Sequence, residues 1–406
     1  MTLYFKYLHK HSALNDMKNS FSKIISNKII IIVLYVSFAL VASVQSLVSG
    51  TKTFNDDSIE YTTYNNYIIF KNSFHHLKND QDLYILYPKE QWDLYKYTPT
   101  FSVFFGLFAV FPDWLGLSLW NLLNALILLF AIYYLPKLDV KKKGVILIIV
   151  LIELLTSIQN SQSNGLIAGL LVLSFGLLEN KKYLFATLCI VFSIYIKLFG
   201  IVGFALFLFY PNKLKLGFYT LFWTLLLAAA PLIFIDLNQY SKLLQSYTLM
   251  LNNDHSTSYG YSIMGWLHSW FALEINKNIV VLLGALVFLI PLLLFSKYKN
   301  YTFRSLTLAS ILIWIVIFNH KAESPTFIIA MTGVALWFVS SKKNTLNIAL
   351  LFSAFILTSL SPTDIFPKFL REQYVLPYSL KALPCIFIWM NLIYDMLFLE
   401  KEFISE

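Results

Sequence analysis

Apolar runs long enough to form helices recur along nearly the whole chain, separated by short basic loops. That pattern decides the class of fold. A bilayer offers the backbone no hydrogen-bond partners, so only helices and closed barrels cross it. These runs do not alternate between apolar and polar residues as barrel strands do. The composition agrees: 58% of the 406 residues are hydrophobic and 13% charged, against roughly 25% charge in a soluble domain. The expected fold is an all-α polytopic membrane protein. The net charge of +9 lies largely in loops, as at the cytoplasmic side of a membrane protein, and does not point to nucleic acid. Cys189 and Cys385 fall inside apolar runs and read as small core residues rather than a disulfide or metal pair.

Loop charge orients the chain. Lysines and arginines cluster before residue 28 and at 137–143, 181–182, 213–215, 297–304 and 342–343, which places these loops and both termini in the cytoplasm. The expected organisation is a cytoplasmic N-terminus (1–27), one integral membrane domain (28–399) and a cytoplasmic tail (400–406). The first apolar run, 28–49, follows a basic stretch too long for a signal peptide and is read as a retained helix. About twelve crossings follow, with 98–136 counted as one net crossing. Its two apolar halves, split by Phe111, Pro112, Asp113 and Trp114, also suit two helices. Several spans fall short of the roughly 20 residues a bilayer core requires. Short spans are tolerated where they line a watery cavity, so a cavity open to the outer face is expected. The location implied is the plasma (inner) membrane.

Polar residues are concentrated where chemistry would need them. The outer segment 50–97 is acidic and rich in tyrosine, too polar to cross and suited to an amphipathic helix at the headgroup level. Asp56, Asp57 and Glu60 follow the first helix closely, where a carboxylate can take a proton from an acceptor hydroxyl. His75 and His76 suit phosphate or the interface. Lys96, beside Tyr97, suits a lipid phosphate or a snorkelling role. The run SIQNSQSN at 157–164 is costly to bury unless its amides are bonded. It reads as a turn that binds sugar hydroxyls or supports the early loop, or as a plain polar hairpin. Lys197 stands inside an apolar run, an expensive position that marks function by default. Its natural partner is a lipid phosphate or an acid such as Glu153. Outer segments carrying Asn253 and then His320, Lys321 and Glu323 complete the set, the last mixing charges in a way that suits phosphate. No metal-ligand spacing and no nucleotide-binding glycine pattern occurs, so no cofactor is expected; a divalent metal requirement is left open.

In order along the chain stand DLY at 82–84, YKYTP at 95–99, LWN at 119–121, SQSN at 161–164, IK at 196–197, the segment 253–262 and HKAESP at 320–325. In order and spacing these resemble glycosyltransferase family 87, membrane enzymes that use polyprenol-phosphate sugars, over about residues 55–340. The resemblance implies a GT-C-like fold and inverting transfer of a hexose, with mannose the expected sugar, on the outer face. The donor would be a polyprenyl-phosphate sugar and the acceptor a hydroxyl of a lipid-linked or cell-envelope glycan. An early-loop carboxylate, Asp57 or Glu60 with Asp56 beside them, would be the base. Lys197, His320, Lys321 and Lys96 would hold the donor phosphate. Gln162, Asn164, Asn65, Asn66, Tyr97 and Asn253 would contact sugar or acceptor. Two departures accompany the match. The family's catalytic aspartate falls at about Asn66, which cannot act as a base, and Ser161 replaces a glycine. The rival readings are a transporter or flippase for lipid-linked sugars, which predicts inverted repeats; an O-antigen polymerase or ligase, which predicts a late, arginine-rich outer loop; and a non-catalytic scaffold.

Overall fold

The computed structural model describes residues 22–54, 59–253 and 258–398. Asp56 and Asp57 lie outside them. The described chain is mostly helical, as expected. Helix α1 (Lys28–Val48) leads into a short antiparallel hairpin, β1 (Thr51–Thr53) with β2 (Glu60–Thr62), paired Thr51 to Thr62 and Thr53 to Glu60. Helix α2 (Asn65–Lys78) follows. The segment 98–136, counted as one crossing from sequence, forms two helices, α3 (Pro99–Ala109) and α4 (Asp113–Tyr134). Thr98 caps α3, its side chain accepting from the Phe101 N–H, and Pro99 occupies the first turn, where its missing N–H costs nothing.

The bundle continues with α5 (Val140–Gln159), α6 (Asn164–Glu179) and α7 (Tyr183–Ile196), then a 3₁₀ segment (Leu198–Phe209). Beyond it come α8 (Lys213–Ala229), α9 (Leu237–Asn253), α10 (Ile263–Phe271) and α11 (Lys277–Leu292). The last group is α12 (Tyr301–Ile317), α13 (Phe327–Ser340), α14 (Thr345–Ser353, extended by a π-helical turn Ala354–Leu360) and α15 (Leu383–Phe398). Three stretches, Lys28–Val48, Asp113–Tyr134 and Lys213–Ile233, are long and apolar enough to cross a membrane. Nine further apolar helices among the described residues are shorter, so length and composition identify three spans there, against the expected twelve.

The centre of the bundle is α4, α6, α12 and α13. Helix α6 packs on α4 and α7, and α13 packs on α12 and α5. Nearly every residue of α6, α12 and α13 is buried, as expected of helices that are apolar all round. Close approach depends on two glycines. A Cβ on Gly169 would lie 2.9 Å from the backbone of Ile127 and Leu128, and one on Gly333 would lie 2.6 Å from the Ala309 carbonyl oxygen. Helix α8 is the opposite case: little of it is buried, so its apolar side chains face outward.

Two ion pairs tie distant parts of the bundle together. Arg304 on α12 grips Glu179 at the end of α6 with two bonds, of 2.6 and 2.8 Å, the strong bidentate arrangement. Glu153 on α5, which the sequence reading offered as a partner for Lys197, pairs instead with Lys381 just before α15, Nζ to Oε1 at 2.7 Å. Both residues are buried. Lys381 also donates to the Thr358 carbonyl at 2.6 Å, tying the π-helical turn to α5. Removing one partner of a buried pair costs about 3–5 kcal/mol, whereas replacing both with apolar residues is often neutral. Glu153→Gln or Lys381→Met alone should therefore lower the unfolding temperature in detergent sharply. Glu153→Leu combined with Lys381→Met should recover most of the loss, as read by a thermal-shift assay.

Candidate functional site

The site begins with α2 and the irregular segment, residues 79–98, that follows it. Phe70 on α2 packs edge-on against Tyr97, Phe101, Phe105 and Trp120, anchoring α2 on α3 and α4. Asn65 is buried and bonds the Trp92 backbone in both directions, donating at 2.7 Å and accepting at 3.0 Å. It is thus the strut that folds the loop back on itself. The Tyr84 hydroxyl donates to the Tyr97 carbonyl at 3.0 Å, and the Tyr95 hydroxyl to the Thr98 carbonyl at 2.8 Å. Thr98 also donates to the Tyr195 carbonyl on α7. These bonds fix the YKYTP segment at the start of α3 and the end of α7.

The amide-rich turn meets it there. Trp120 Nε1 donates to the Ser161 carbonyl at 2.9 Å, and Asn124 Oδ1 accepts from the Leu166 N–H at 2.9 Å. The second bond satisfies a donor in the first turn of α6 that the helix itself leaves unpaired. So held, the turn presents Gln162, Ser163 and Asn164, all buried. The Tyr97 hydroxyl donates to Gln162 Oε1 at 3.3 Å and accepts from Ser163 Oγ at 3.2 Å. Asn66 donates to the Asn160 carbonyl at 2.9 Å, which puts Asn66 against this same turn.

Lys197 completes the centre. Helix α7 ends at Ile196, and Lys197 is extended before the 3₁₀ segment. Its ammonium donates to Asn164 Oδ1 at 3.0 Å and lies 5.4 Å from the Tyr97 ring centroid and 5.9 Å from that of Phe199. Aromatic faces attract a cation at this range. Among the described residues no carboxylate pairs with it. The other end of the Asn164 amide donates to the Pro325 carbonyl at 3.1 Å. One side chain therefore joins Lys197 to the late turn carrying His320, Lys321 and Glu323. That turn is braced by Gly260, whose φ of +52° brings its backbone close to the His320 and Ala322 carbonyls, and by the Tyr261 N–H, which donates to Ala322 at 2.9 Å.

The structure thus gathers Tyr97, Gln162, Asn164, Lys197 and the late turn, and Asn66 borders them. His320 and Lys321 are half-buried on that turn and connect to Lys197 through Pro325. Lys96 sits with Asp93 at 3.0 Å, partly exposed. Asn253 is exposed at the end of α9. Glu60 lies exposed on the hairpin and accepts a hydrogen bond from Thr51. The histidine pair is otherwise engaged: His76 bonds Glu90 at 2.9 Å and stacks on Tyr87. Burial, with help from nearby Lys71, pushes the His75 pKa down, disfavouring the cation that would hold phosphate. Sequence reasoning missed the Pro325 carbonyl and the Lys381 pairing, neither of which leaves a local pattern.

A family model, glycosyltransferase family 87, matches residues 95–318, more than half of the 406. The chain belongs to glycosyltransferase family 87. The matched stretch of this glycosyltransferase opens at Tyr95 and contains the turn 161–164 and Lys197. The hairpin and the turn 320–325 lie beyond it. No curated protein matches the chain. Since Asn164 supports two elements at once, Asn164→Leu should leave the Pro325 carbonyl and the Lys197 ammonium without their protein partner. The expected loss is about 1–3 kcal/mol, seen as a lower unfolding temperature, with a smaller loss for Asn164→Gln.

Proposed function

We propose that this membrane glycosyltransferase takes a hexose, mannose foremost, from a polyprenyl-phosphate donor. The sugar passes with inversion to a hydroxyl of a lipid-linked or cell-envelope glycan at the outer face of the plasma membrane. The observation that supports this reading is Lys197: a cation within the apolar bundle whose protein partners are one neutral amide oxygen and two aromatic faces. An ammonium carries three donors, so further N–H groups are available to an anion. A phosphate in this setting gains more than it would in water, because the charges are screened less.

The bond changes follow from the donor. The acceptor oxygen attacks the anomeric carbon from the face opposite the phosphate, the bond from that carbon to the phosphate oxygen breaks, and the acceptor proton passes to a carboxylate. The phosphate changes from a diester with one negative charge to a monoester with more. Lys197, aided by His320 and Lys321, would therefore stabilise the leaving group most where its charge develops, the kind of stabilisation that speeds a chemical step. Gln162, Asn164, Asn66 and Tyr97 would orient the sugar. The base is assigned to an acid of the early segment that follows the first helix, Asp57 or Glu60, with Asp56 the next candidate. Room for an acceptor is assigned beside the late turn. There a cavity of about 220 Å³ is lined by Tyr261, Ser324, Ser361, Arg371 and Lys381. Ser324 Oγ, on the wall of this cavity, has no hydrogen-bond partner among the described residues and would be the hydroxyl that meets the acceptor. No cofactor enters this scheme.

Purified protein in vesicles, given radiolabelled polyprenyl-phosphate-mannose and a membrane glycan extract, should transfer label to the extract. Lys197→Ala should lower kcat/KM by roughly 10²–10³, and Lys197→Arg should keep part of the activity. Asn164→Asp places a carboxylate against the ammonium and should raise the donor KM. Loss of turnover in only one of Asp57→Asn and Glu60→Gln would name the base. Full activity in Lys197→Ala would refute the donor site. No transfer from any polyprenyl-phosphate sugar by folded protein would refute the reaction.

A further inference from the structure

A second feature lies at the lysine-rich end of the bundle and takes no part in the site above. Helices α4, α6, α7 and α8 leave a groove of about 580 Å³ between them, within the range of roughly 300–1,000 Å³ typical of ligand sites. Its walls are apolar: Phe130 on α4, Leu173 and Leu177 on α6, Phe185 and Leu188 on α7. Phe130 and Phe185 are each more than half exposed, so the groove opens sideways, toward the surface that α8 also presents.

One end of the groove is different. Lys181 and Lys182 in the α6–α7 turn and Lys215 on α8 lie at its rim, and no acidic residue lines it. The Lys182 and Lys215 nitrogens are each 5.7 Å from a tyrosine ring centroid, those of Tyr134 and Tyr219. Glu179, the acid nearest in sequence, is held by both arms of Arg304 and does not neutralise the rim. An apolar slot ending in three cations is complementary to a molecule with an apolar chain and an anionic head. A water-soluble anion would leave the walls unfilled, and a neutral lipid would leave the lysines unmatched.

We propose that this groove is a binding site for an anionic phospholipid, its acyl chain along Phe130, Leu173, Leu177 and Leu188 and its phosphate on Lys181, Lys182 and Lys215. Helix α7 lines the groove at one end and leads to Lys197 at the other, so an occupant would brace the helix that carries the donor site. The proposal is independent of the reaction assigned to that site.

The test is native mass spectrometry of the full chain released from nanodiscs holding equal amounts of phosphatidylglycerol and phosphatidylcholine. Each basic residue near an anionic headgroup favours binding about fivefold, so the wild type should retain phosphatidylglycerol over phosphatidylcholine by at least about tenfold. Replacing Lys181, Lys182 and Lys215 together by Gln should erase the preference, and replacing them by Arg should keep it. Leu188→Trp, which fills the slot and leaves the lysines in place, should reduce retained lipid of both kinds. Unfolding temperature checks that each variant is folded. Equal retention of the two lipids by the wild type, or an unchanged preference in the Gln variant, would overturn the proposal. So would unchanged retention in Leu188→Trp, since the lysines would then act as a simple surface. A lipid-free dimer that Leu188→Trp disrupts would place a second copy of the chain there and likewise refute it.

Discussion

A single buried amide links the parts of this molecule that matter for its chemistry. Asn164 stands at the first residue of α6, the most enclosed region of the bundle. One end of its side chain accepts from Lys197 and the other donates to Pro325. The amide has no charge of its own, and this is the physical point. A carboxylate in its place would neutralise the ammonium. An apolar residue would strand both a cation and a carbonyl in a region where unpaired polar groups are expensive. An amide holds the lysine in position and leaves its charge intact for something else.

The rest of the core can be read as support for that position. Asn124 and Trp120 on α4 fix the turn before α6. Tyr97 closes it from the side through Gln162 and Ser163. The aromatic cluster around Phe70 keeps Tyr97 in place. At the far side, Glu153 and Lys381 draw the C-terminal segment onto α5, which also packs against the turn Ser324–Thr326. A buried charge pair adds little net stability, but it tolerates few alternative arrangements of the helices that carry it.

Much of this was legible in the sequence, and the limits have physical causes. The helical membrane class follows from apolar runs that no other spanning structure suits. Lys197 stood out because a cation within an apolar run is costly, and the amides at 157–164 because four of them interrupt two such runs. The family could be read from motif order, and the structure shows why that order matters: YKYTP, SQSN, IK and the late turn meet at one place. The partner of Glu153 was not legible. Lys381 lies 228 residues away at the edge of an apolar run, where a lysine looks like an ordinary interfacial residue, while Lys197 was the conspicuous cation. Asn65 and Asn66 are neighbours of the same type, yet one bonds its own loop and the other the turn before α6. That choice is made by tertiary contacts. The splitting of 98–136 into α3 and α4 was signalled by Pro112 and Asp113, and the short apolar halves obscured it.

The account depends on Lys197 being where the donor's phosphate rests. The most direct measurement is an experimental structure of the protein with a short-chain polyprenyl phosphate bound in nanodiscs. The account requires phosphate density within charge-assisted hydrogen-bond distance of Lys197 Nζ, about 2.7–2.9 Å from nitrogen to oxygen, with Asn164 still bridging to Pro325. Phosphate density seated elsewhere, with Lys197 still bound only to Asn164, would contradict it.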